Sequence, residues 1–315
     1  MIKIQLDEDT KQDIMDVHWK DMSHKQTGLY KSLQNSSCKT VLKSRSCYEV
    51  LYNYFYDLSG NVIEKNVKKL VLANKSQMEE YIVKLGKFNK TESDELQKYL
   101  FRYEKYARRQ SAYNILKKMK VNVCPYCNRQ YTFTLENNSM RPQFDHFYPK
   151  SLYPYLAVSI FNLIPSCSIC NQAKSSIDTY KEPILYPYED EFGDTAKFAV
   201  DTKDIKSFLG IGENFELRIN YSEMYSSTQE KIKKQNNVLH LEKMYNMHKD
   251  YVCDITLNQY INSDDRINEI LLKFPDLFDS KEDVLSVLHM NDIRKDNWGK
   301  RPLSKLTHDI LKKTK

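Results

Sequence analysis

The chain has 315 residues, 41% hydrophobic and 29% charged, which is ordinary globular composition and enough for one large or two modest domains. Lysine and arginine number 48 against 42 acidic residues, so the net charge of +6 permits an acidic partner such as nucleic acid without requiring one. No apolar run approaches the length of a bilayer span, and the opening MIKIQLDEDTKQD is acidic and lacks an apolar segment, so a cytoplasmic protein with reduced thiols and no membrane association is expected.

In chain order, residues 1–120 read as helical. The clearest stretch is TESDELQKYLFRYEKYARRQSAYNILKKM, with Thr91 as N-cap and Asp94 three residues on. Leu96, Leu100, Tyr103 and Ala107 recur at helical spacing and predict a packing face. Lys98, Arg102, Lys105 and Arg109 follow on another side as a basic stripe beside Tyr99, Tyr103, Tyr106 and Tyr113. Such a stripe suits a phosphate backbone, although a solvated face is the more economical reading.

Residues 121–180 change character. QYTFTL, PQFDHF and FNLIPS predict short strands, and NQAKSSIDTY predicts a short helix with Asn171 near its start. AKFAV and FELRI predict two more strands. Helix returns at a capping box, STQE, with Ser227 at the cap and Glu230 three on. His240 and His248, eight apart in an expected helix, read as packing or surface residues. The expected division is a helical region 1–120 for partner or DNA docking, a zinc-containing domain 121–255 and a helical region 256–315.

Four of the seven cysteines are paired, Cys124 and Cys127 in CPYC, Cys167 and Cys170 in CSIC. CxxC…CxxC in a reduced compartment predicts a zinc site, and four thiolates leave no open position, so the zinc is expected to be structural. Cys38, Cys47 and Cys253 stand alone and read as buried apolar residues. Between and just after the paired thiols lie Asp145, His146, Asn162, Asn171 and Lys174. Asp145 and Asn171 offer oxygen ligands suited to Mg²⁺ or Mn²⁺, and His146 titrates near neutrality, as a general base on water must.

The run CPYC…FDHFYPKS…FNLIPSCSICNQAK resembles the HNH endonucleases, the ββα-metal nucleases, in the variety carrying a four-cysteine zinc site. Their pattern of an Asp-His pair, an Asn on the second strand and a His or Asn early in the helix is filled in order by Asp145-His146, Asn162 and Asn171. The resemblance implies that His146 is the general base, that Asp145 and Asn171 hold the catalytic ion, and that Asn162 braces the loop between the strands. It further implies that Lys174, Lys150 and Arg129 lie near the scissile phosphate. A weaker likeness through PILYPYEDEFGDTAKFAV and KIKKQNNVLHLEKMYNMHKDYV resembles HNH components of prokaryotic anti-phage defence, Septu PtuB-like or retron-associated, which work beside an ABC-type ATPase.

The resulting expectation is an α+β, mostly helical protein with a small ββα-metal HNH core stapled by a four-cysteine zinc site. Helical regions flank that core on both sides. The expected activity is DNA phosphodiester hydrolysis, and the alternative is a zinc-stapled module that binds nucleic acid or protein without cutting.

Overall fold

Helix caps fix most of the chain's start. Asp7 accepts from the Thr10 amide to open Glu8–Met22, and reciprocal boxes of Asn74 with Gln77 and Asn89 with Glu92 open Lys75–Leu85 and Lys90–Leu96. The computed structural model describes residues 1–135, 140–202, 204–209, 211–212, 214–222 and 226–313. Among these the protein is mostly helical with two small antiparallel sheets, β1 (Gln143–His146) with β2 (Leu163–Ser166) and β3 (Ala196–Asp201) with β4 (Glu216–Tyr221). No described helix is long and apolar enough to cross a membrane.

The chain divides into two compact units. One comprises Gln5–Val121 and Phe133–Pro183, the other Met1–Ile4, Asn122–Thr132 and Ile184–Lys315.

In the first unit the expected long helix is broken. Its cap is Asn89 rather than Thr91, and Lys90–Leu96 runs into a wide turn, Gln97–Phe101, that ends at Arg102 in the left-handed region with φ 41°. A short helix Tyr103–Tyr106 follows, then Gln110–Met119. The reason lies in the side chains. Leu100, Phe101, Tyr103 and Tyr106 are all buried, and one straight helix cannot turn all four inward. The break lets Phe101 reach Phe55 and Tyr106 reach His18, at ring-centroid distances of 6.4 and 5.2 Å. It also dissolves the basic stripe: Lys98, Arg102, Lys105 and Arg109 fall on different local frames. Arg109 spends its guanidinium on Asp21 at 2.9 Å and on the Thr27 carbonyl.

His18 is fully buried in this unit. Its Nε2 donates to the Val158 carbonyl at 2.8 Å and its Nδ1 faces the Tyr106 hydroxyl at 3.1 Å. β1 and β2 pair from Gln143 opposite Ser166 to His146 opposite Leu163, and the helix Ser168–Lys174 packs on β1. That helix begins earlier than expected, so Asn171 is its fourth residue rather than near its cap, which is Cys167. Asn162 sits in a single turn of 3₁₀ helix, Ile160–Asn162, immediately before β2 rather than within it.

In the second unit β3 and β4 match AKFAV and FELRI. QYTFTL does not form the predicted strand; its only β-bridge among the described residues joins Val123 and Tyr131. The helix Ser227–Leu239 is capped by Ser226, which accepts from the Gln229 amide, one residue before the cap read from the sequence. It ends at His240 in the left-handed region, so His240 and His248 do not share a helix. The Ser304–Lys313 helix seals this core: Lys305 and Asp309 form a buried ion pair at 2.6 Å, and Asp309 accepts from the Phe198 amide of β3. Of the lone cysteines, Cys38 is buried, whereas Cys253 is half-buried and Cys47 is exposed, against expectation.

Candidate active site

The four paired thiols meet. The Sγ atoms of Cys124, Cys127, Cys167 and Cys170 lie within 4.8 Å of one another, all buried. Four thiolates about 2.3 Å from one ion sit roughly 3.8 Å apart, so small movements would close the site on zinc. Two local contacts suit charged sulfur. The Cys127 Sγ accepts from the Arg129 amide and the Cys167 Sγ from the Cys170 amide, each at 3.4 Å. The buried cluster has the donor set and spacing of a structural zinc site, and four donors leave no position open for chemistry.

The second constellation belongs to β1, β2 and the helix Ser168–Lys174. His146 ends β1. Its Nε2 lies 3.0 Å from the Ala157 carbonyl, and a carbonyl can only accept, so Nε2 carries the proton and Nδ1 keeps its lone pair. Burial, with the nearby Lys150 ammonium next, holds this imidazole at about 3, well below the near-neutral value expected from the sequence, so the ring is neutral with its Nδ1 lone pair free of a proton but is a weaker base than a solvated histidine. The ring stands edge-on to Tyr103, centroids 4.3 Å apart, and the Tyr103 hydroxyl donates to the Phe144 carbonyl.

Asp145 is 2% exposed. Below it lies Lys174, completely buried, with Nζ 3.2 and 3.3 Å from the two carboxylate oxygens and donating to the His146 carbonyl at 2.7 Å. Lys174 thus ties the helix to both residues of the Asp-His pair. A phosphate-contacting position was expected for it; the structure places it beneath the carboxylate instead. Asn162 spans the loop between the strands: its Oδ1 accepts from the Tyr148 amide at 2.8 Å, and its Nδ2 donates to the Tyr148 and Leu156 carbonyls at 3.0 Å. The Asn171 amide donates to the Gln143 side chain at 2.7 Å, which turns its carbonyl oxygen into the lone-pair donor available to a cation.

Asp145, His146 and Asn171 open onto one cleft of about 800 Å³, whose wall includes Lys150, Arg141 and Tyr103. Lys150 is held there by Glu104 at 2.6 Å and lies over the Tyr103 ring. Arg129 has other partners: His248 at 3.0 Å, the Met244 sulfur at 3.0 Å and the face of Tyr245. Sequence reasoning missed Tyr103, Arg141 and Gln143 as members of the site. Tyr103 was visible only as a member of the predicted packing face and as one aromatic beside the supposed stripe, and nothing local marks the other two.

Over 94 residues the chain is 37% identical to the Septu protein PtuB of Bacillus thuringiensis. The match covers 29% of this chain and 35% of that relative's length, so the likeness is partial for both. No protein-family model matches the chain, and no solved structure matches it.

Proposed function

We propose that this chain is a metal-dependent HNH endonuclease that hydrolyses DNA phosphodiester bonds, the nuclease of an anti-phage defence system working beside an ABC-type ATPase. One observation carries the chemical part. His146 has its Nε2 committed to a backbone carbonyl, so Nδ1 is left as a base in a cleft shared with a carboxylate and a side-chain amide. The partial likeness to PtuB supports the defence role.

A phosphodiester is anionic and repels hydroxide, so its hydrolysis needs a positioned base and a counter-charge. The oxygens of Asp145 and Asn171 suit a Mg²⁺ or Mn²⁺ ion, which when bound supplies charge neutralisation at the phosphate and leaving oxygen. His146 Nδ1 removes the proton from the attacking water. The Ala157 carbonyl fixes the tautomer that makes this possible, and Tyr103 limits rotation of the ring. Asn162 holds the loop that presents Ala157, since its three hydrogen bonds tie the start of that loop to its end. Lys174 fixes the Asp145 carboxylate by pairing with both oxygens.

Plasmid nicking in Mg²⁺ or Mn²⁺ tests this reading, with EDTA as control and the ATPase from the adjacent gene supplied in parallel. Cleavage that EDTA abolishes is expected. No cleavage under any of these conditions contradicts the proposal and favours a zinc-stapled binding module.

A further inference from the structure

The cleft holds a cation that the assignment above does not use. Arg141 lines the same cleft as Asp145, His146 and Asn171. Its guanidinium lies over two rings, 5.4 Å from the centroid of Tyr113 and 5.7 Å from that of Phe144. Its Nη1 donates to the Pro142 carbonyl at 3.1 Å, and it enters none of the ion pairs among the described residues. The contrast with Lys150, which lines the same cleft, is direct: Lys150 is paired with Glu104 at 2.6 Å. Two rings hold the Arg141 fork roughly in place before any ligand arrives, which reduces the ordering cost of binding. A planar five-donor cation held in this way is matched to the paired oxygens of a phosphate.

We propose that Arg141, seated on Tyr113 and Phe144, binds a backbone phosphate of the nucleic-acid strand next to the phosphate that His146 faces. The inference rests on the nuclease reading and adds a substrate-binding residue to it. Arg141 sets where along the strand the scissile bond stops, while His146 acts on that bond. Lys150 is already paired, so it contributes less to strand affinity than Arg141 does.

The test is fluorescence anisotropy of a short fluorescein-labelled DNA duplex, titrated with the full chain carrying His146→Ala so that nothing is cut. Adding Arg141→Ala is expected to weaken binding about tenfold and to lower the slope of log affinity against log salt by about 1, the signature of one lost phosphate contact. Arg141→Lys is expected to recover the salt slope but not the full affinity, because an ammonium keeps the charge and loses the fork. Arg141→Gln, which keeps much of the stem without the charge, carries the same test should the alanine variant fold poorly. If the His146→Ala chain binds and the Arg141 variants leave affinity and slope unchanged, the Arg141 assignment is overturned alone. If the His146→Ala chain itself binds no DNA, the nucleic-acid reading falls and this inference with it.

Discussion

Lys174 and Asp145 form a buried pair whose members depend on each other, since an ammonium and a carboxylate this far from water are tolerable only together. Lys174→Met keeps the stem, removes the charge and leaves Asp145 buried without its counter-ion. The expected loss is about 3–5 kcal/mol of unfolding free energy, read by urea denaturation. An unchanged midpoint would show that the pair does not hold the helix to β1.

A second residue gives a pH signature. Burial pushes His18 down to about 4, against an ordinary value of 6.5. Between those values the unfolded chain takes up a proton that the folded one refuses, so stability rises with pH there. The neutral ring's contribution is fully present above about 6.5 and falls by about 1.4 kcal/mol per pH unit as pH drops toward 4. His18→Gln is expected to flatten the stability profile over that interval, and identical slopes for variant and parent would count against it. These two residues also mark how far sequence reasoning reaches. The resemblance put Lys174 near the chemistry, but whether an ammonium faces a phosphate or a carboxylate is decided by burial, which one sequence does not display. His18 offered no pattern at all, because its partners Tyr106 and Val158 are 88 and 140 positions away.

At the scale of elements, the helix Ser168–Lys174 has seven residues, too few to persist alone in water. β1 and β2 have four residues each, and a two-stranded pair is itself marginal. The Cys167 thiol caps the helix, so the proposed zinc ligands and the start of the element carrying Asn171 are one piece of chain. Removal of zinc by a strong chelator, or Cys170→Ser, is therefore expected to lower helical circular dichroism. It should abolish cleavage although His146 is untouched. Retention of full cleavage by zinc-free protein would contradict this coupling.

Short apolar runs were legible: β1, β2, β3 and β4 lie within or over PQFDHF, FNLIPS, AKFAV and FELRI. The long helix through Arg102 was not, because the packing of Phe101 and Tyr106 outweighs helical continuity there. QYTFTL has strand composition but among the described residues gains only one bridging partner. Caps slipped by one or two residues wherever two cap-forming side chains stand close together, as at Asn89 and Thr91 or Ser226 and Ser227.

For the whole molecule, composition constrained the class but not the division. The chain leaves and re-enters each unit, so that residues 122–132 belong with 184–315 while 133–183 belong with 5–121. Boundaries near 120 and 255 follow changes of local pattern, and long-range packing does not. The proposed defence role makes a prediction at this scale. Co-expression with the ATPase of the neighbouring gene should yield a complex that survives size-exclusion chromatography, and separate elution at working concentration would remove the support for a gated nuclease.

The most direct measurement compares the parent with His146→Ala for Mn²⁺-dependent plasmid cleavage, with zinc content and melting temperature recorded for both. The account predicts a variant that keeps its zinc and its fold and loses cleavage by at least about a hundredfold, the scale of one general base. A folded, zinc-loaded His146→Ala protein that cuts as fast as the parent would contradict it.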